Sequence, residues 1–138
     1  MVKADLIASE RFDEITRISA RAVSTMLGLS LAHVGINSAS PAEALQGAEL
    51  LARLLKMEFK EGASSVFVEK QFEFVKQPSR GAHGHLAIGT NFIHRAIAYL
   101  SSQGVAVLEE TRNEKNGKLA SVYLEKEIGG FAIHLLQL

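Results

Sequence analysis

The element order of this chain is written twice, and that repetition limits the folds open to it more than any single motif does. Laying His33 on His85, an offset of 52 residues, also puts Ile36 on Ile88 and Ala44 on Ala96 without a gap. In the first copy an apolar strand, Leu31 to Asn37, leads into a helix predicted from Pro41 to Leu55. Ser40 supplies the N-cap, Pro41 the first helical position and Glu43 the acid three residues after the cap. Ala44, Leu45, Ala48, Leu51, Ala52 and Leu55 form the expected buried face. Short strands are expected at Glu58–Lys60, Ser65–Val68 and Gln71–Val75. The stretch Lys76 to Gly84, with Pro78, Gly81 and Gly84, is the connector. The second copy has a strand at His85–Ile88, a helix from about Asn91 to Ser102 closing at Gly104, and strands at Val105–Leu108, Leu119–Tyr123 and Phe131–Leu135. Asn116-Gly117 is a type I′ hairpin signal.

Ahead of both copies, Ser9 to Leu27 carries Phe12, Ile15, Ile18, Ala22, Val23 and Met26 at helical intervals, with Gly28 as a left-handed cap. Its apolar stripe has to pack on the rest of the domain or on a second subunit, and a homodimer is expected. The pattern predicts an α+β fold in which two paired β-α-β-β-β modules build one cupped mixed sheet, preceded by an N-terminal amphipathic helix. The expected division is a helix over 1–30 and a domain over 31–138, with modules at about 31–76 and 84–138.

Composition removes several classes of function. In 138 residues, 15 Lys+Arg balance 15 Asp+Glu, so the chain has no electrostatic footprint for nucleic acid or an anionic membrane. No apolar run approaches the roughly 18 residues that span a bilayer. The start, Met1-Val2-Lys3-Ala4-Asp5, lacks the apolar stretch of a secretory signal, and a soluble cytoplasmic protein is expected. With no Cys, disulfides, thiolate nucleophiles and Cys-type zinc sites are excluded, so any metal must be held by His, carboxylate or amide groups.

Side chains alternate along a strand, so the phase of a polar residue tells which face it shares. His33 opposes Val34 and Ile36, and His85 opposes Leu86 and Ile88. Glu73 lies between Phe72 and Phe74, and His134 between Ile133 and Leu135. If the bulky partners face the helices, His33, Glu73, His85 and His134 share the other side of the sheet. A lone strand histidine is ordinarily a hydrogen-bonded structural residue, and a lone strand glutamate is ordinarily solvated. It is the agreement of four phases that points to a site. Three imidazoles and one carboxylate suit a divalent Zn, Ni, Co, Mn or Fe ion, with positions left for water or substrate. Arg80 and His83 on the connector are expected rim contacts for an acidic small-molecule substrate. His94 is expected at the surface, Lys70 and Tyr123 have no stronger claim, and Phe67 and Val75 hint at a mixed pocket.

These paired modules, each opened by a histidine strand, resemble the vicinal oxygen chelate superfamily, which includes glyoxalases, extradiol dioxygenases and bleomycin-resistance proteins. The resemblance covers about Leu31 to Leu138. It implies metal ligands on the first and last strands of each module, which are His33 and Glu73, then His85 and His134. His134 stands where that family commonly has a glutamate, and Glu127-Ile128-Gly129-Gly130 replaces its usual Asp-Pro-Asp-Gly-Asn turn. The implied activity is that of an isomerase or lyase acting on a small 2-oxo or 2-hydroxy carbonyl substrate through a metal-stabilised enolate. Glu73, the only carboxylate of the set, is then both ligand and proton acceptor. The segments Ala32–Asn37, Gly84–Ile88 and Glu127–His134 also resemble a small group named keto-hydroxyglutarate/keto-deoxy-phosphogluconate aldolase. Aldolase chemistry of that kind uses a Schiff-base Lys in a (β/α)₈ barrel, typically about 200 or more residues, which this chain is too short to form. Two alternatives remain open: a metal-free small-molecule binding module, and an accessory domain associated with that aldolase.

Overall fold

The computed structural model describes residues 4–138. Among them the elements run α1 (Ala4–Ala8), α2 (Phe12–Leu27), β1 (Ser30–Asn37), α3 (Pro41–Leu55), β2 (Phe59–Glu61), β3 (Ser65–Val68), β4 (Phe72–Val75), β5 (Gly84–Thr90), α4 (Ile93–Ser102), β6 (Asn113–Lys115), β7 (Lys118–Tyr123) and β8 (Phe131–Gln137). A 3-10 turn, Glu109–Thr111, precedes β6. The strands form one mixed sheet in the order β2-β3-β4-β1-β5-β8-β7-β6. Each module pairs its first and last strands in parallel, β1 with β4 and β5 with β8. The modules join through the antiparallel pair β1 and β5, which places the two histidine strands side by side. The fold is therefore the α+β arrangement of two β-α-β-β-β modules.

Local chemistry accounts for the helices. The Ser40 side chain accepts from the Glu43 backbone N–H at 3.2 Å, and Glu43 Oε2 accepts from the backbone N–H of Ala39 at 2.7 Å. The acid thus reaches one residue further back than a reciprocal capping box would place it. α3 lies close on the sheet because Ala44 and Ala48 are fully buried, and Ala52 nearly so, against Val66, Val68 and Phe74. Ala96, the repeat partner of Ala44, is also fully buried, in a second core with Leu27, Ile93, Val122, Ile133 and Leu135. Both cores lie on the helix side of the sheet, which leaves its concave face for other work. Thr90 ties α2 to this body: its Oγ1 donates to the Leu27 carbonyl at 2.8 Å.

Four expectations need correction. The N-terminal helix does not start at Ser9. Ser9 Oγ bonds back to the Asp5 carbonyl and closes α1, Glu10 takes a left-handed backbone at φ 56°, and α2 begins at Phe12. α4 begins at Ile93, with no side-chain cap at Phe92, so the expected start at Asn91 is two residues early. Leu55 is 47% exposed at the end of the helix, next to the left-handed cap at Lys56 that stops it. Val105–Leu108 is not a strand. Only Val107 makes an isolated bridge, to Leu124, while Val105 and Val107 pack on the second core. Two backbone hydrogen bonds, Leu108 N–H to the Tyr123 carbonyl and Glu125 N–H to the Ala106 carbonyl, make that bridge without extending it, and the module's second strand forms at Asn113–Lys115. Its hairpin turns through Asn116 and Gly117 at φ 55° and 70°, the type I′ geometry.

Candidate metal centre

Register places the polar residues of the concave face in two cross-strand rows, since residues directly opposite in a ladder share a face. One row runs Phe67, Glu73, Gly35, His85 and Ala132 across β3, β4, β1, β5 and β8. The other runs His33, Ala87, His134 and Tyr123 across β1, β5, β8 and β7. The small residues decide how near the large ones come. A Cβ on Gly35 would lie 2.1 Å from His85 Cε1, so the His85 ring occupies the space that any other residue would fill there. The ring thereby crosses β1 toward Glu73. Ala87 leaves similar room between His33 and His134.

Three of the polar groups meet at a tight triangle. His33 Nε2 is 3.1 Å from His85 Nε2, and Glu73 Oε2 is 3.2 Å from each. His134 closes the group, its ring centre 5.0 Å from that of His85 and 5.6 Å from that of His33. One ligand atom from each histidine lies within 4.8 Å of the other two. His134 Nδ1 faces the Leu135 carbonyl at 3.3 Å, a contact that puts the proton on Nδ1 and leaves the Nε2 lone pair for a ligand. His85 Nδ1 is buried without a hydrogen-bond partner among the described residues.

The triangle of His33, His85 and Glu73 fits a divalent first-row ion. Bonds of about 2.0–2.2 Å at octahedral to tetrahedral angles separate neighbouring ligand atoms by about 2.8–3.6 Å. The triangle edges fall inside that interval. Electrostatics agree. Burial pushes the Glu73 carboxyl up, but hydrogen bonds from His33, His85 and Ser65 outweigh it and hold the group well below the usual carboxylate range. Burial pushes the His134 imidazole down to about 4, helped by the neighbouring histidines, so it is neutral near pH 7. A metal needs both states: an ionised carboxylate and a neutral imidazole.

The surroundings are aromatic. Phe67 presents an edge to His33 at 5.9 Å, and the Tyr123 ring is 5.0 Å from His134 and 6.4 Å from His85. Burial and the Glu73 charge push the Tyr123 hydroxyl up, so it stays protonated as a donor. Arg80 lies over the Tyr123 ring at 5.7 Å, with Glu110 at 3.4 Å, which places it at the edge of the cup. His83 packs instead against Phe131, at 5.7 Å. Phe131 alternates with Ala132 and so has the phase of Ile133 and Leu135, away from the histidines. His94 is exposed on α4. Sequence reasoning gave Tyr123 no role and did not single out Ser65 or Gly35. Tyr123 was detectable only through its register against His134. Gly35 was detectable through the repeat, which lays it on Ala87, the second small residue of the same face.

No protein-family model matches the chain, and no curated protein matches it by sequence. Solved structures do. A hypothetical protein from Bacillus halodurans C-125 superposes with a TM-score of 0.57 at 16% identity, covering 80% of this chain and 94% of its own. Methylmalonyl-CoA epimerase from Mycobacterium tuberculosis gives 0.57 at 18% identity, covering 81% and 89%. A Streptomyces coelicolor methylmalonyl-CoA epimerase in complex with 2-nitronate-propionyl-CoA gives 0.52 at 14% identity, covering 78% and 95%. At such identities the likeness is one of fold. The chain adopts a glyoxalase-like fold, which it shares with these structures.

Proposed function

We propose that this chain is a divalent-metal-dependent enzyme of the vicinal oxygen chelate type, an isomerase that moves a proton on the carbon beside two adjacent oxygens of a small 2-oxo or 2-hydroxy carbonyl substrate. The observation that carries this reading is the convergence of His33, Glu73, His85 and His134 on one concave face. Those four residues would hold the ion, a Zn, Ni, Co, Mn or Fe. When bound, it supplies Lewis-acid stabilisation of negative charge developing on the substrate oxygens. Glu73 is the only carboxylate of the set and accepts the substrate proton. Arg80 at the rim orients an acidic substrate, while Phe67 and Tyr123 shield the centre from water. His83, packed on Phe131, takes no part unless the connector rearranges. The epimerase names among the similar structures favour proton transfer over an aldolase-associated lyase. We also take the two helices between Ala4 and Leu27 as an appendage to a domain over 31–138; the first three residues of the expected helix over 1–30 lie outside the described residues.

The test is hydrogen exchange in D₂O followed by NMR, with metal-loaded protein and a panel of 2-oxo acids, 2-hydroxy ketones and methylmalonyl-CoA. Exchange at the carbon next to the carbonyl is expected for at least one of them. Glu73→Gln is expected to slow it by about 10²–10⁴-fold, the range for a lost general base. Ligand binding with no bound metal and no exchange would overturn the enzyme reading in favour of a binding module.

A further inference from the structure

We infer that the site takes a dianionic substrate, whose second anionic group, several bonds from the chelating oxygens, is received by Lys60 and Lys70 at the β2 end of the cup. This rests on the function proposed above and extends it to substrate class. A cavity of about 440 Å³, lined by Lys60, Gly62, Ser65, Phe67, Glu69 and Lys70, opens at that end. It borders the metal centre through Phe67, which lines the cavity, presents an edge to His33 at 5.9 Å and pairs across the ladder with Glu73. Its size lies in the usual range for small-molecule sites, about 300–1,000 Å³.

Register directs Lys60 into this space. Lys60 pairs with Phe67, and Phe67 pairs with Glu73, so all three share the concave face. Two strand spacings separate Lys60 from Glu73, about 10 Å between Cα atoms. A ligand chelated beside Glu73 therefore meets the lysine only if its second anion lies several bonds away. Neither lysine has an acidic partner among the described residues, whereas nearby Lys76 is tied to Glu61 and the Gly62 carbonyl, each at 2.7 Å. The one acid lining the cavity, Glu69, faces the backbone N–H of Glu58 at 3.4 Å. The competing explanation is that Lys60 only blunts the edge strand β2 against aggregation.

Titration calorimetry of Co²⁺-loaded protein at low salt separates the two, with pyruvate, 2-oxoadipate and 2-oxo-5-phosphonopentanoate as probes. At least one dianion is expected to bind about tenfold or more tighter than pyruvate, the effect of one charge-assisted hydrogen bond. The double substitution K60M/K70M is expected to erase that advantage and leave pyruvate binding unchanged. A preference for the phosphonate names a phosphorylated substrate, and a preference for 2-oxoadipate names a dicarboxylate. Equal affinity for all three probes, or an advantage that survives the double substitution, overturns this inference alone. Failure of the wild-type protein to take up Co²⁺ overturns the metal-centre reading and this inference with it.

Discussion

Gly35→Ala is the smallest change that should dismantle the site without touching a ligand. The added methyl would lie 2.1 Å from His85 Cε1 and 2.4 Å from both ring nitrogens. Ordinary van der Waals contact needs at least 3.4 Å, so the ring must retreat by about 1 Å or more. It has little room to do so, since His85 is 5% exposed and walled by His134 and Tyr123. Nε2 therefore leaves its place 3.2 Å from Glu73 Oε2. Overpacking of this kind costs about 1–3 kcal/mol of stability. Metal affinity should fall by at least about tenfold, the lower end of what disturbing a ligand's support costs. Chelator-competition titration reads the affinity and thermal denaturation the stability. The decisive comparison is the cycle with His85→Ala: if the ring is what the methyl strikes, Gly35→Ala in that background costs almost nothing further. An equal penalty with and without the His85 ring would refute the steric reasoning.

Three further outcomes are expected. Ser40→Ala removes the α3 cap and should cost about 1 kcal/mol, seen as a Tm lowered by several degrees with metal binding unchanged. Thr90→Val removes a fully buried hydroxyl that donates to the Leu27 carbonyl and accepts from the Phe92 N–H; the carbonyl keeps the Asn91 N–H at 2.9 Å, so stability in urea denaturation should fall by only about 1 kcal/mol. Phe12 and Met26 are 60% and 52% exposed on α2, so F12S/M26S should halve the light-scattering mass of the expected homodimer; an unchanged mass would exclude that stripe from the interface.

The legible parts of this molecule were those fixed by local stereochemistry. Ser40, Pro41 and Glu43 announce α3, Asn116-Gly117 announces its hairpin, and the phases of His33, Glu73, His85 and His134 assign them one face because strand alternation is rigid. The illegible parts depended on tertiary contacts. Val105 and Val107 look like strand residues because burial against the second core selects the same side chains as a ladder does. The break at Glu10 has no cap signal, since Ser9 turns backward to Asp5. Tyr123 enters the site only through its register against His134, a distance in space that the order of residues does not encode. Arg80 and His83 are near neighbours in the connector, yet one lies over Tyr123 and the other over Phe131, a divergence set by the loop's path.

The most direct measurement is the metal content of protein purified without chelator or affinity metal, by elemental analysis, for the wild type and for His33→Ala and His134→Ala. One divalent first-row ion per chain in the wild type, lost from both variants while each still melts cooperatively, is the expected result. A wild-type protein that binds no such ion, or variants that keep it, would contradict the assignment of this face as a metal centre.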